Sequence, residues 1–149
     1  MDDLDRSIVA QLAADARISL ATLARRLKVA RSTLQSRLER LESSGVITGY
    51  TVKLGEAGQR GRLRATVLLT IDLRLQSGIV NRLKAMPEVE TIHSTSGRVD
   101  LLLTLAAATT QSLDTVLDAI GAIPGVKASE SFIHLTTKLD RVVAGGLPA

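Results

Sequence analysis

The stretch SLATLARRLKVARSTLQSRLERLESSG, residues 19–45, decides the fold of the N-terminal part of the chain. It contains two runs in which apolar residues recur at helical spacing: Leu20, Leu23, Ala24 and Leu27, then Leu34, Leu38 and Leu41. Ser19 is a good N-cap for the first helix, and Gly45 suits the left-handed position that ends the second. Two short helices joined by a tight turn predict a helix-turn-helix, whose second helix would enter the major groove of DNA.

The outer face of the predicted second helix is polar and basic. Between residues 25 and 40, six lysines or arginines stand against one acid, Glu39. Short hydrogen-bonding side chains accompany them, and such groups address phosphates and base edges. Arg25 and Arg40 are expected on backbone phosphates, whereas Arg37 lies nearer the inner edge and is expected to be structural. A solvated face on an ordinary helix pair is the alternative interpretation. The candidate DNA-binding residues are Arg25, Arg31, Ser32, Thr33, Gln35, Ser36 and Arg40.

The composition of the 149-residue chain favours duplex DNA as the partner. Residues 1–64 hold twelve Lys/Arg and seven Asp/Glu, a net charge of +5, whereas residues 65–149 hold seven and eight, a net charge of −1. A basic front indicates an anionic partner, and the shortage of aromatic residues argues against single-stranded nucleic acid. The chain has no cysteine, no apolar run of transmembrane length, and an acidic start unlike a signal peptide. We therefore expect a soluble, cytoplasmic protein with no membrane partner.

The segments on either side of the helix pair define the predicted domain limits. A helix is predicted from about Asp3 to Ala14, with Asp3 as its cap. Residues 46–54, VITGYTVKL, have strand character. Residues 55–64, GEAGQRGRLR, combine three glycines with three arginines and predict a linker. We therefore place a helix-turn-helix domain at 1–50, a hinge strand and linker at 51–64, and a second domain at 65–149.

The second domain contains an internal repeat, in which LKAMPEV at 83–89 recurs as IGAIPGV at 120–126. A helical stretch precedes each copy, at about 77–86 and 110–123, and an apolar strand precedes each helix, at 65–73 and 100–107. Another strand follows each copy, at 89–96 and 127–139. The order βαβ–βαβ predicts a ferredoxin-like sandwich with helices on one face of an antiparallel sheet. The fold class of the whole chain is thus predicted to be α+β.

The other face of this sheet is predicted to be covered as well. Leu68 lies opposite the other apolar residues of its strand, and residues 101–103 are apolar on both sides, so neither strand alternates cleanly. Small domains seldom leave such a face in water. We expect a second copy of the chain to cover it, giving a homodimer. A few exposed leucines without any partner are the plainer interpretation.

With these features the chain resembles the Lrp/AsnC (feast/famine) family of transcription regulators over essentially its whole length. The resemblance implies a winged-type helix-turn-helix joined by a hinge strand to a βαββαβ effector-sensing domain. It also implies dimers that assemble into tetramers or octamers, with small effectors, frequently amino acids, bound between dimers. The residues that carry it are Leu4-Asp5, Ile8 and Leu12, Arg17-Ile18-Ser19, Leu23-Ala24, Arg37–Glu42, Gly45-Val46-Ile47, Gly49-Tyr50, Pro87 and Val89, Ser96-Gly97, Asp100-Leu101-Leu102 and Pro124-Gly125-Val126.

The same resemblance implies an effector site lined by the loop at 96–100 and by the last strand. Carried over by position, Gly97 and Asp100 match a Gly-x-x-Asp element, and Ser129 and Ser131 match positions usually held by threonine. Arg98 could bind an effector carboxylate in a bidentate manner, and Asp100 could pair with an ammonium group. The alternatives are a plain turn at Gly97, an Asp100 that accepts from backbone amides, and ordinary surface polarity at Arg98 and the two serines.

Four residues, in three places, depart from the family pattern. Lys28 stands in the helix-turn-helix turn where many members have glycine, so we expect a left-handed backbone there at a cost of about 1 kcal/mol. Ala30 stands where serine is usual, so the second helix is expected to lack a side-chain cap. The effector loop has Arg98 and Val99 where many relatives have an aromatic residue, which leaves the effector unidentified.

Two further classes of protein have to be weighed. Some proteins of this two-domain build are haem-pathway decarboxylases, but the two histidines, His93 and His134, fall on different predicted strands. No P-loop, zinc-binding or Ser–His–Asp pattern occurs, so we expect no enzyme, no metal and no cofactor. A nucleoid-structuring protein without any effector is the second alternative. The prediction is a homo-oligomeric regulator that binds double-stranded DNA and a small effector, an amino acid in first place.

Overall fold

The computed structural model describes residues 1–59 and 61–140. Residues 1–53, with residues 139 and 140, form one compact unit, and residues 54–138 form the second. Helices make up the first unit, and helices and strands together make up the second, so the predicted α+β class is confirmed. Within the described ranges, no helix is long and apolar enough to cross a membrane.

The N-terminal unit is built from three helices, α1 (Asp3–Ala14), α2 (Leu20–Leu27) and α3 (Arg31–Ser43). Their apolar faces converge because the residues predicted at helical spacing point to one centre. Gly45, just beyond α3, has a φ of +75°, the left-handed backbone expected there. The predicted helix-turn-helix is confirmed. The buried core consists of Ile8, Leu23, Ala24, Leu34 and Leu41.

The caps of the first two helices are side-chain hydrogen bonds. Ser19 Oγ accepts from the Thr22 N–H at 3.1 Å, as predicted. The prediction that Asp3 caps α1 is wrong, since Asp2 is the N-cap. Asp2 Oδ1 accepts from the Asp5 N–H at 2.9 Å, and Asp5 Oδ2 accepts from the Asp2 N–H at 3.1 Å. This reciprocal capping box requires an acceptor side chain at the third helical position, which Asp5 supplies only when Asp2 is the cap.

The segment between the two predicted domains differs from the prediction. None of residues 46–54 lies in a strand. A strand requires a neighbouring segment that shares its backbone hydrogen bonds, and no described strand pairs with this one. The predicted linker at 55–64 contains a short helix, α4 (Glu56–Gln59), and the first strand begins inside it at Leu63.

The C-terminal unit has the predicted ferredoxin-like order of elements. After α4 come β1 (Leu63–Ile71), a 3₁₀ turn (Leu73–Leu75), α5 (Gln76–Lys84), β2 (Val89–Ser94), β3 (Leu101–Ala107), α6 (Thr110–Gly121) and β4 (Val126–Ile133). The strands form a four-stranded antiparallel sheet in the order β2-β3-β1-β4.

The last strand is shorter than the predicted 127–139. Ile133 pairs with Ala65, close to the start of β1, and the His134 N–H still donates to the Arg64 carbonyl at 2.8 Å. That is the last backbone hydrogen bond described between the two segments, and Leu135 is 94 % exposed, so β4 ends at Ile133.

The two faces of the sheet are unequally covered. Every second residue of β1 and β3 is buried in a core shared with α5 and α6. The opposite face carries Leu68 paired with Leu102, both partly buried, and Phe132, which is 49 % exposed and pairs with Thr66. Because the helices lie on one side only, this second face, here called the open face, has no cover within the unit.

Candidate nucleic-acid interface and effector region

The polar face of α3 is exposed because Leu34 and Leu41 turn the opposite face into the core, where they are 0 % and 2 % exposed. In the described part of the chain, no hydrogen bond or ion pair engages the side chains on the first turns of this polar face. They are therefore free to meet a ligand. These residues are Arg31, Ser32, Thr33 and Ser36, all of them predicted DNA contacts.

Two other predicted contacts flank this face. Gln35 is exposed, and its Nε2 donates to Glu39 Oε1 at 3.3 Å, one helical turn further along. Arg25 on α2 is exposed, with no bond of its side chain among the described residues. The neighbouring Arg26 donates from Nη1 to Gln11 Oε1 at 3.1 Å and so ties α2 to α1.

The turn before α3 is strained, as expected from the sequence. Lys28 has φ 56° and ψ 40°, a left-handed backbone that favours glycine. Ala30 is the N-cap of α3 and supplies no side-chain hydrogen bond. The first-turn N–H groups of α3 therefore lack the side-chain acceptor that α2 has in Ser19.

The lower half of α3 is tied to α1 by a cluster of two acids and two arginines. The Asp5 carboxylate is 1 % exposed. Its Oδ2 accepts from Arg40 Nη2 at 2.7 Å, and its Oδ1 accepts from Arg37 Nη1 at 3.1 Å. Arg37 also makes a very short contact with Asp2. Arg37 thus has the structural contacts expected of it, while the predicted phosphate contact of Arg40 stays a prediction.

Both acids of this cluster have a pKa below the ordinary value of an aspartate. The hydrogen bond from Arg37, helped by the Asp5 N–H, lowers the pKa of Asp2 to about 2. Burial by itself would raise the pKa of Asp5, but the Asp2 N–H and the charges of Arg37 and Arg40 hold it below its ordinary value. Sequence analysis missed this role of the acids. Their only signal was the acidic start of a chain whose second and third helices are basic.

The loop predicted to line the effector site is held by backbone contacts of Asp100. Its Oδ2 accepts from the Ile71 N–H at 2.8 Å, and its own N–H donates to the Leu69 carbonyl at 2.9 Å. Asp100 therefore anchors the β2–β3 loop to the end of β1. This is the second interpretation given above, in which its carboxylate accepts from a backbone amide. Gly97 has φ +143°, and a Cβ there would meet no atom within 4 Å.

The remaining predicted effector residues are divided between the two faces of the sheet. Arg98 Nη2 donates to Glu130 Oε2 at 3.1 Å. Glu130 pairs with Leu68 and so belongs to the open face, whereas Ser129 and Ser131 pair with Leu69 and Val67 and belong to the face of the helices. All three β4 residues are exposed. The described chain by itself does not gather Arg98 and the serines into one pocket.

The two histidines also lie apart. His134 Nε2 is 2.8 Å from Thr66 Oγ1, and His93 is opposite Leu102 on the neighbouring strand. No group of three or more His, Cys, Asp or Glu side chains among the described residues is placed to hold a metal ion.

Comparison with known proteins agrees with this two-unit build. A family model for winged helix-turn-helix DNA-binding domains matches residues 1–48, and a model for the Lrp/AsnC ligand-binding domain matches residues 64–143. The transcriptional regulator LrpA of Mycobacterium tuberculosis is 34% identical over 95% of each chain. A solved structure of that leucine response regulatory protein aligns with a TM-score of 0.79 over 94% of this chain and 96% of the other.

Two structures of lower identity share the fold. Escherichia coli AsnC has a TM-score of 0.87 at 23% identity, covering 97% of this chain and 98% of its own. A transcriptional regulator of Neisseria meningitidis in complex with L-methionine has a TM-score of 0.86 at 22% identity, covering 99% and 96%. With both family models and a full-length relative in agreement, this chain belongs to the Lrp/AsnC family of DNA-binding transcriptional regulators.

Proposed function

We propose that the protein is a cytoplasmic, sequence-specific regulator that reads duplex DNA through α3, works as a homodimer or larger assembly, and responds to an amino-acid effector. One observation carries the DNA part of the proposal. The first turns of α3 expose Arg31, Ser32, Thr33 and Ser36 without any described partner. Arginine and short hydroxyl side chains at the start of a recognition helix are suited to base edges and neighbouring phosphates.

The role proposed for each side chain on this surface follows from the contacts that the side chain already has. Gln35 is held by Glu39, which orients its amide, and an oriented amide suits bidentate recognition of adenine. Arg25 and Arg40 lie to the sides and are assigned to phosphates, which fix the position of the protein but carry no sequence information.

The open face supports dimerisation with a second copy of the chain. Its charged residues are paired within the chain, Arg98 with Glu130 at 3.1 Å and Arg64 with Glu90 at 3.2 Å. The other side chains of this face include leucine, threonine and phenylalanine together with His93 and His134, and such a surface can meet its own copy without bringing carboxylates or arginines together.

The effector part of the proposal is supported by relatives rather than by a formed pocket. One relative is a leucine response regulatory protein and another was solved with L-methionine. In this chain Gly97, Arg98, Asp100, Ser129 and Ser131 stay the candidate effector residues. The second candidate function, DNA binding without an effector, is favoured by a specific observation. Arg98 and Asp100 are already engaged, by Glu130 and by the Ile71 N–H.

Mobility-shift binding to the DNA upstream of its own gene, with and without a panel of amino acids, tests the function. A sequence-specific shift altered by one amino acid is the expected result. A specific shift that no amino acid changes would favour the effector-independent alternative, and no shift at low salt would overturn the DNA proposal. Gln35→Ala should change the base preference, and Gln111→Ala on α6 is the matched control.

Sedimentation equilibrium of open-face variants tests the dimer. Leu68→Arg places a charge in the proposed interface and is expected to give monomers. Leu73→Arg is the control, because Leu73 is also exposed, at 63 %, but lies on the 3₁₀ turn outside the sheet. A Leu68→Arg protein that stays as oligomeric as the control would rule out the open face as the interface.

A further inference from the structure

We propose that Asp5 is a positioning residue for DNA binding, whose buried carboxylate fixes the Arg40 guanidinium so that its remaining N–H groups face a backbone phosphate. This inference rests on the proposed phosphate contact of Arg40 and goes beyond it. It assigns a role in DNA recognition to an acid of α1, a helix that carries none of the predicted DNA contacts.

The carboxylate of Asp5 is itself held rigidly. It accepts from the Asp2 N–H at 3.1 Å and from Arg37 Nη1 at 3.1 Å, and the Asp5 N–H donates back to Asp2 Oδ1 at 2.9 Å. With 1 % exposure it has little room to move. Arg40 Nη2 therefore donates, at 2.7 Å, to an acceptor whose place is set by the α1 capping box.

Arg40 keeps most of its hydrogen-bonding capacity after this contact. A guanidinium carries five N–H donors in a planar fork, and one bond to Asp5 is the contact described for Arg40. Its side chain is 58 % exposed. Arg40 follows Ser36 by one helical turn, so it lies at the border of the α3 surface that carries the predicted base contacts.

Fixing a long side chain before binding has a known effect on affinity. Arginine loses considerable rotamer freedom when it is immobilised, and a group held in its bound position does not lose that freedom again on binding. A plain charge effect has the opposite sign, because a carboxylate near DNA repels phosphates and its removal strengthens binding. The two effects can therefore be separated by the direction of the change in affinity.

The test compares Asp5→Asn with Asp3→Asn in the full-length protein, using fluorescence anisotropy with a labelled random-sequence duplex. Both variants remove one negative charge from the first turn of α1, but Asp3 is 96 % exposed, and Arg6 is the one side chain that pairs with its carboxylate among the described residues. Asp5→Asn is expected to weaken binding by roughly three- to tenfold and to lower the salt slope by about one unit. Asp3→Asn should bind as well as wild type or slightly better. Equal or tighter binding by Asp5→Asn would overturn the proposal.

Arg40→Gln separates this proposal from the one it rests on. If Arg40 contacts a phosphate, Arg40→Gln lowers the affinity and the salt slope, and adding Asp5→Asn causes no further loss. If Arg40→Gln leaves both unchanged, the phosphate contact itself is wrong. If Arg40→Gln lowers both but the Asp5→Asn loss persists in its background, only the positioning role is refuted.

A second pair of variants guards against poor folding of Asp5→Asn, which thermal melts would reveal. Arg40→Lys keeps the charge and the Asp5 carboxylate but replaces the planar fork by a single ammonium group. Arg25→Lys makes the same change at an arginine with no described partner. A positioned Arg40 predicts a clear loss for Arg40→Lys and little for Arg25→Lys, whereas equal effects would refute it.

Discussion

The start of α3 gives the sharpest stability prediction. Ala30→Ser should stabilise the N-terminal unit by adding the side-chain cap that α3 lacks. The backbone is already suitable, since Ala30 has φ −65° and ψ 145°, nearly the same as φ −69° and ψ 146° at the capping residue Ser19. The serine hydroxyl would accept from the Thr33 N–H, as Ser19 Oγ accepts from Thr22.

The expected gain follows from this match. An N-cap serine in place of alanine contributes about 1 kcal/mol, and no backbone change has to be subtracted here. In a small domain that shifts the melting temperature by about 4–8 °C. Lys28→Gly should gain less. It removes a left-handed strain of about 1 kcal/mol, but glycine gives back roughly 0.4–1 kcal/mol through the greater freedom of the unfolded chain.

Calorimetry on the full-length protein measures the effect, with Ser19→Ala as the mirror variant. Ser19→Ala should lose about what Ala30→Ser gains, and the double variant should melt near wild type, because the two caps share no contact. Amide exchange of Thr33 should slow in Ala30→Ser. An unchanged melting temperature together with unchanged Thr33 exchange would show that the first turn of α3 does not lack a cap.

Three further predictions concern acid, the Gly125 turn and the single tyrosine. The pKa of Asp2 is lowered from 3.8 to about 2 in the folded protein, so its ionised carboxylate stabilises the fold above pH 3.8, and this contribution is lost as the pH falls towards 2. Circular dichroism should therefore show a smaller loss of stability on acidification for Asp2→Asn than for wild type. Gly125→Ala should destabilise the C-terminal unit by roughly 1–3 kcal/mol in thermal melts, because φ is +97° and the new Cβ would lie 2.9 Å from Leu75 Cδ1. Burial and a 2.7 Å hydrogen bond to Glu42 raise the pKa of Tyr50 to about 12. Ultraviolet titration should therefore find a phenol pKa near 12 in wild type and a lower pKa in Glu42→Gln.

Helix positions could be predicted well because burial follows local spacing. Leu34 and Leu41 are spaced by seven residues and both are buried on the same side of α3. The strain at Lys28 and the missing cap at Ala30 were also expected, since each depends on one residue type at one turn position. Similarly, the repeat around the two Pro-x-Val sequences predicted the order of helices and strands in the second unit.

Strand limits were predicted less well because a strand depends on its partner. Residues 46–54 have the residue types of a strand but no described strand beside them. Residues 134–139 were also predicted as strand, yet β4 ends at Ile133 and the last backbone hydrogen bond described there joins His134 to Arg64. Residue preference describes only one of the two strands that share a set of backbone hydrogen bonds, and the other strand lies far away in the sequence.

The acid–arginine cluster is a contact of the same non-local kind. Asp5 lies 32 residues before Arg37 and 35 before Arg40. Which of the many arginines it meets depends on how α1 crosses α3, and the spacing of apolar residues does not encode that choice. From sequence, Asp5 could be placed only near the positive end of the α1 dipole.

The effector residues show how a one-residue step in a strand changes the chemistry of a site. Ser129 and Ser131 alternate with Glu130, so the residues that flank Glu130 in sequence point to the opposite face. Arg98 contacts Glu130 on the open face, and the free edge of β4 is one place where a small molecule held by its guanidinium could also meet the two serines. That strand is the last of the described sheet, with β1 on one side and no described strand on the other. We therefore expect an effector site that uses both Arg98 and the serines to lie along this edge, and we expect Arg98 to exchange Glu130 for the effector carboxylate on binding.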